Sequence, residues 1–392
     1  MTRRYDVVVV GGGIHGAGVA QAAAAAGHSV LLVERHDLAH GTSSRSSKLI
    51  HGGLRYLETG QLRLVRESLM ERQLLLRLAP ELVRLRPFFV PVYATTRRRP
   101  WQLWAGLSLY AALGSLAPAT RFGTLPRRQW GRLDGLEQDG LQQVFRYFDA
   151  QTDDARLTRA VTASAVRLGA ELALHTEFVE ADVAADGVAM VVRCGDRGEE
   201  LRTRVLVNAA GPWAPRVAAR IRGTPSAPDV ELVQGTHLLL AGQMRAGIYY
   251  VESPDDGRAV FVMPWKGTIL LGTTETLYRG DPEDVAPLPQ ETDYLLRVLA
   301  HYFPAYGRGA TRLLGAFAGL RVLPRGGRAF GRSRETLLHT DRGTAPRTVS
   351  IYGGKLTGWR STAARVLERI AASLPCREVL ADTRELRLDP VD

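Results

Sequence analysis

The sequence predicts a two-lobed α/β protein, one lobe carrying a β-α-β nucleotide-binding unit and the other a mostly antiparallel sheet. Three observations carry this reading. From Tyr5 to Glu34 the chain runs through an apolar stretch, a glycine-punctuated turn, an alanine-rich segment and a second apolar stretch. Short strand-like segments crowd together from Glu231 to Glu275 with no helical pattern between them. Strands ending in small residues recur at 205–211 and 349–354, as expected of a chain returning to its first sheet after a long excursion.

In the first unit, the unbroken run from Val7 to Val10 suits a strand buried on both faces. Gly11, Gly13 and Gly16 then fall in the spacing G-x-G-x-x-G. Their roles differ: a tight turn, close approach of backbone to a pyrophosphate, and a small contact where helix meets strand. The helix beginning near Ile14 offers unpaired N–H groups to those phosphates. Glu34 stands 18 residues after Gly16, where a carboxylate accepts from a ribose diol and repels a 2′-phosphate. NAD and FAD share the ADP half, so the fingerprint alone does not separate them.

The 392 residues, 45% of them hydrophobic, allow a large core in two or three lobes. The N-terminus enters the first strand almost at once, so no cleaved leader is expected. Cys194 and Cys376 lack metal-ligand spacing; neither a metal site nor a disulfide scaffold is indicated, in keeping with a cytoplasmic location. The net charge of +11 is local: from Gln61 to Arg132 there are 13 arginines against Glu67, Glu71 and Glu81. Lys48, Lys266 and Lys355 are the only lysines. An ammonium retained against such a bias suggests a site that a guanidinium does not fit, although chance survival also explains Lys266.

After Glu34, the stretch HDLAHGTSSRSSKLIHGGLRYLE reads as a second cradle, for phosphates or a flavin ring. Thr42, Ser43, Ser44, Ser46 and Ser47 supply hydroxyls, Arg45 and Lys48 positive charge, and Gly52 and Gly53 close backbone approach. His51, Arg55 and Tyr56 beside it are candidates to face a substrate. A helix is expected from Gln61 to Leu78. Beyond the Arg97–Arg99 triplet, the run from Trp101 to Ala119 has no charge and is short for a bilayer span. Two readings stay open there: an interfacial segment with basic residues drawn to anionic lipid, or a buried helix with a solvated basic flank. No nucleic-acid-binding module accompanies the charge.

Asp153 is a plausible N-cap for a helix that ends near Gly169. At 209–211, Ala209, Ala210 and Gly211 let a cofactor lie against a strand end. In the antiparallel lobe, His237 follows Gly235 and Thr236, and Thr273, Thr274 and Glu275 close the last short strand. Arg321 sits inside the apolar sequence AFAGLRVLP, where a buried guanidinium needs an anionic partner. Gly353, Gly354 and Lys355 are expected at the start of a last helix, whose N-terminus would stabilise charge on a reduced flavin.

The segments GGGIHGAG, TSSRSSKLIHGGLRYLE, DDARL, NAAGPW, GTH, GTTE, GLRVLP and GGKLTGWR follow the order and spacing of FAD-dependent glycerol-3-phosphate dehydrogenases, a family this sequence resembles as far as about Arg360. The resemblance implies a two-lobed FAD-binding flavoprotein with a Rossmann-like nucleotide-binding lobe. It implies lobe boundaries as well: residues 1–80, 150–225 and 330–375 around FAD, 81–149 a basic and aromatic insertion, and 226–329 around the substrate. It implies hydride transfer from C2 of glycerol 3-phosphate to FAD, giving dihydroxyacetone phosphate, with electrons passed to a membrane quinone. By motif, His237, Lys355, Arg321, Arg55 and Thr274 would line the substrate site, Arg334 being a weaker candidate, and His51 joins them as a catalytic candidate for its imidazole. Gly11, Gly13, Ile14, Gly16, Glu34, Arg35, Thr42, Ser43, Ser46, Ser47, Lys48, Gly52, Gly53, Ala210, Gly211, Gly354, Lys355, Leu356 and Thr357 would hold FAD.

Glu275 stands where the family has Asp, Gly358-Trp359 replaces a threonine–aromatic pair, and this chain stops at Asp392 where members continue into a helical domain. His237 is the first choice as base and His51 the second, because an imidazole titrates near neutral pH. The expected setting is the inner face of the cytoplasmic membrane, with a homodimer left open. The rival readings are a related flavoenzyme oxidising a 2-hydroxy acid or an amine, and a non-catalytic FAD-binding scaffold.

Overall fold

The fold is described from a computed structural model, for residues 2–307, 309–325 and 336–391. The N-terminal unit forms β1 (Arg3–Val10), α1 (Ile14–Ala25) and β2 (Val30–Val33). β1 lies between β2 and the strand Arg197–Asn208, parallel to both, so Val7, Val8 and Val9 are wholly buried. That placement explains an apolar run without alternation. Beyond β2 the sheet adds Glu171–Ala173 in parallel. The strand Arg197–Asn208 changes partner along its length: its first half pairs antiparallel with Val188–Cys194, its last residues parallel with Thr348–Tyr352. Its carboxyl end therefore lies beside that of β1, where ligands of open parallel sheets sit.

α1 is almost entirely buried, because other helices flank it. Its Val19, Ala20, Ala23 and Ala24 share a core with Ala165 of the helix Asp154–Arg167 and with Ala363, Val366 and Ile370 of the helix Trp359–Ile370. Alanine and glycine permit this close packing: a Cβ on Gly18 would lie 2.6 Å from the ring of buried Trp359.

The second sheet runs in the order Thr276–Tyr278, Val230–Leu240, Thr268–Gly272, Ala259–Trp265, Ile248–Glu252, Val83–Tyr93, Leu141–Thr152, Leu49–Ile50; Leu313–Pro324 also pairs with Val230–Leu240. All pairings are antiparallel except the short one between Ile248–Glu252 and Val83–Tyr93. The helix Pro289–Tyr302 covers one face through Leu295, Val298 and Leu299. The expected boundaries need correction here. The interval 81–149 contributes two long strands to the same sheet as 226–329, and even Leu49–Ile50 joins it. The physical reason is a shared core: Phe88, Val90, Val92, Phe145 and Tyr147 pack with Ile248, Tyr250 and Leu270.

Candidate dinucleotide and substrate cleft

Between the two sheets lies a cleft of about 290 Å³ that reaches from Glu34 to Lys355. Its floor is backbone. Gly11 has φ +113°, and a Cβ there would sit 2.6 Å from the carbonyl oxygen of Ala209. A Cβ on Gly16 would sit 1.8 Å from the carbonyl oxygen of Gly11, so the turn closes only with glycine. Gly13, Ile14, Ala210 and Gly211 line the same cleft. Ser43 Oγ accepts from the Ile14 N–H at 2.9 Å, and Thr42 Oγ1 donates to the Leu320 carbonyl at 2.7 Å. These bonds tie the serine-rich stretch to the amino end of α1 and to the second sheet. Glu34 accepts from the N–H groups of Gly12 at 2.6 Å and His36 at 2.8 Å, which fixes its carboxylate at the end of β2. Arg35 forms an ion pair with Glu283 and stacks over Trp213 at 5.1 Å.

At the other end Ser46, Arg321 and Lys355 line the cleft, while Ser47, Lys48 and His237 lie behind that lining. Lys48 is buried; its Nζ donates to Asp154 Oδ1 at 2.7 Å and lies 5.2 Å from the Phe317 ring centre. Ser46 donates to the second oxygen of Asp154 at 2.6 Å from its hydroxyl and 3.0 Å from its N–H. Burial raises the Asp154 carboxyl above its ordinary value, and the Lys48 ammonium offsets part of that shift. Ser47 Oγ is 2.9 Å from Nε2 of His237, whose ring stacks on Phe317 at 5.0 Å. His237 is 1% exposed, and its Nδ1 has no hydrogen-bond partner among the described residues. The expectation that it titrates near neutrality is corrected: burial, then the charges of Arg321 and Lys48, hold it well below the usual imidazole value.

Arg321 and Lys355 both line the cleft. Arg321 donates to Thr273 Oγ1 at 3.3 Å and lies 3.9 Å from Glu275. Lys355 Nζ lies 3.9 Å from the Tyr56 ring centre, with Arg55 over the same ring at 5.9 Å, and donates to Ser68 Oγ at 3.3 Å. A further correction concerns its setting. The last helix begins at Trp359 with Gly358 as N-cap, so Lys355 stands in the turn before it. The turn is set by Gly353 and Gly354, both at positive φ; a Cβ on Gly354 would meet His15 at 2.3 Å. Leu356 lines the cleft, and Thr357 Oγ1 accepts from the His51 N–H at 3.1 Å, tying this turn to the stretch around Gly52 and Gly53. The Gly52 N–H donates to Tyr110, and Gly53 takes φ +81°.

Thr274 points elsewhere: its hydroxyl accepts from the Thr236 N–H and donates to buried Glu291 at 2.7 Å. Arg334 lies outside the described residues. Sequence reasoning missed His15, Phe178 and Trp213 in the cleft wall, and Asp154 behind it. Burial pushes His15 down to about 4, its Nδ1 and the Trp213 indole N–H being buried without a partner among the described residues. His15, Trp213 and Asp154 each lay inside a motif already singled out, GGGIHGAG, NAAGPW and DDARL, whereas Phe178 carried no signal.

A glycine cradle at the amino end of a helix, a terminal carboxylate and unpartnered buried donors along the wall fit a dinucleotide. Residues 6–363 match the model of the FAD-dependent oxidoreductase family. The chain is 38% identical to glycerol-3-phosphate dehydrogenase of Pseudomonas aeruginosa, over 93% of this chain and 71% of the relative. The chain belongs to the FAD-dependent glycerol-3-phosphate dehydrogenase family. The family also sets its cofactor, FAD, and makes it an oxidoreductase. Another relative, D-erythritol 1-phosphate dehydrogenase of Brucella abortus, is 37% identical over 94% of this chain and 74% of its own. Among solved structures of the family, the FAD complex of the Bacillus halodurans glycerol-3-phosphate dehydrogenase superposes with a TM-score of 0.75 at 27% identity, covering 98% of this chain and 68% of that one.

Proposed function

We propose that the protein oxidises the C2 alcohol of glycerol 3-phosphate to dihydroxyacetone phosphate and passes the electrons to a membrane quinone. The observation that carries this reading is the cation supply at the Lys355 end of the cleft, where Arg321 lines the same wall and Arg55 shares Tyr56 with Lys355. A phosphate dianion calls for several cations, a carboxylate for fewer. Bound FAD supplies the hydride acceptor at N5. Arg321 and Lys355 hold the phosphate; His237, neutral because it is buried among cations, takes the hydroxyl proton while Ser47 orients its ring. The arriving dianion offsets the charges that depress His237, so its proton affinity rises when substrate binds. His51 is the second candidate base.

Similarity to the erythritol-phosphate enzyme favours one other reading, a longer polyol phosphate. Anaerobic addition of each compound to the yellow FAD-loaded protein separates them. Glycerol 3-phosphate should bleach the flavin fastest; faster bleaching by erythritol 1-phosphate selects the longer substrate. Bleaching by a 2-hydroxy acid or an amine, with both polyol phosphates inert, would refute the phosphate site.

The electron acceptor bears on the helix Pro100–Leu113. No helix of the described residues is long and apolar enough to cross a membrane. This one buries Leu103, Leu107 and Tyr110 and leaves Trp101 and Trp104 70% and 58% exposed, beside exposed Arg97, Arg99 and Arg121. We infer an interfacial contact with anionic lipid on the inner face of the cytoplasmic membrane. Sedimentation with anionic vesicles should be salt-sensitive and weakened by Trp101→Ser with Trp104→Ser; indifference to both would overturn the contact.

A further inference from the structure

A second recess, of about 550 Å³, lies outside the cofactor cleft, between the strand Val83–Tyr93, the start of the helix Asp154–Arg167 and the turn after Trp265. Its volume is within the roughly 300–1,000 Å³ usual for small-molecule sites. Its walls carry four cations, Arg84, Arg86, Arg156 and Lys266, against two carboxylates, Glu81 and Asp153. Both carboxylates are engaged. Asp153 pairs with Lys266 at 2.7 Å, and Glu81 lies 3.7 Å from Arg387. Arg84 and Arg86 stand two apart on one strand and so project from the same face. Among the described residues no ion pair or hydrogen bond engages either guanidinium.

The turn beside them adds a second observation. Lys266 and Gly267 both take positive φ, +46° and +80°, in the two-residue link between Ala259–Trp265 and Thr268–Gly272. Hairpins of this kind favour Asn or Asp before the glycine, and a long cationic side chain gains nothing from the turn itself. One of only three lysines in the chain therefore holds a strained position at the lip of a cationic recess. The same recess also has apolar lining, from Trp265, Met244, Pro264 and Leu82.

We propose that this groove binds a diphosphate ester of nucleotide size, with the phosphoryl groups on Arg84 and Arg86 and the ring against Trp265 and Met244. The site is separate from the dinucleotide cleft but adjoins it. Asp153 and Asp154 are neighbours in sequence, one holding Lys266 in the groove and the other the buried Lys48 behind the cleft, and both ammonium groups lie near the Trp265 ring, at 5.2 and 5.6 Å. A ligand that draws Lys266 away from Asp153 acts on the residue next to the Lys48 anchor.

Calorimetric titration of the FAD-saturated protein with ADP and with pyrophosphate tests the proposal, the bound FAD keeping ADP out of its own pocket. ADP should bind at low salt. Arg84→Gln with Arg86→Gln should weaken it about tenfold or more while flavin absorbance stays unchanged. Arg63→Gln with Arg66→Gln, which removes the same charge from an exposed helix, should leave the affinity as it was. ADP binding tighter than pyrophosphate supports the seat for the ring; equal affinity overturns that part. No binding of ADP, or equal weakening by the two pairs of substitutions, overturns the site.

Discussion

The two ends of the cofactor cleft are built differently. At the Glu34 end, glycines at fixed spacing, helix N–H groups and one carboxylate do the work, and all lie within 34 residues of the N-terminus. At the Lys355 end, the surroundings are held by partners far away in sequence: the buried Lys48 ammonium by Asp154, 106 residues on, and the His51 loop by Thr357, 306 residues on. The first end is a local device that tolerates no added atom. The second depends on the whole fold being assembled, and its chemistry comes from partly buried cations on the cleft wall backed by the buried Lys48.

Four perturbations sharpen that contrast, and the most severe falls at the backbone end. Gly16→Ala would press a methyl group against the Gly11 carbonyl oxygen, so the variant should purify without flavin. A normal ratio of visible to ultraviolet absorbance would show that the turn has more room than described. At the side-chain end, Asp154→Asn leaves the buried Lys48 ammonium without its counter-ion, which should cost about 3–5 kcal/mol in urea unfolding. A loss below about 1 kcal/mol would mean that water reaches Lys48.

His15 comes next. Its folded value of about 4 lies below the unfolded value of 6.5, so the fold favours the neutral ring. Stability from this group is complete above pH 6.5 and falls away as the pH drops toward 4, by roughly 3 kcal/mol in all. Replacing His15 with Gln should remove that part of the acid sensitivity; an unchanged stability profile would contradict the buried neutral ring. The mildest change is Thr357→Val, which loosens the link between the Lys355 turn and His51. It should cost about 0.5–1.5 kcal/mol, raising KM for the substrate with little effect on flavin content. A lowered flavin content with KM unchanged would assign Thr357 to the cofactor instead.

The same contrast decides how much was legible in the sequence. The β-α-β unit, the glycines and Glu34 could be read because their geometry is local and short-range sterics fix it. The antiparallel lobe could be read from strand lengths, but its limits could not. Pro87 and Pro91 look like breaks, and a strand with a long buried end shows no alternation, so the part played by Val83–Tyr93 in the second sheet was hidden. His237, Arg321 and Lys355 were found as residue types in motifs, whereas the state of His237 was not. Its neutrality follows from burial beneath Phe317 and from two cations that converge on it only after folding. Asp154 lay in plain sight as an ordinary helix-start acid; nothing local marks it as the anchor of Lys48 and Ser46.

The most direct measurement is the rate of anaerobic flavin reduction by glycerol 3-phosphate as a function of pH, at substrate concentrations low enough to report the free enzyme and expressed per concentration of the substrate dianion, since a phosphate monoester itself titrates at about pH 6. With His237 as the base, the rate should hold level down through pH 6.5 and decline only below it, since burial, Arg321 and Lys48 keep the ring unprotonated there. An acid limb centred at or above 6.5, or a profile unchanged in His237→Gln, would place the proton acceptor elsewhere.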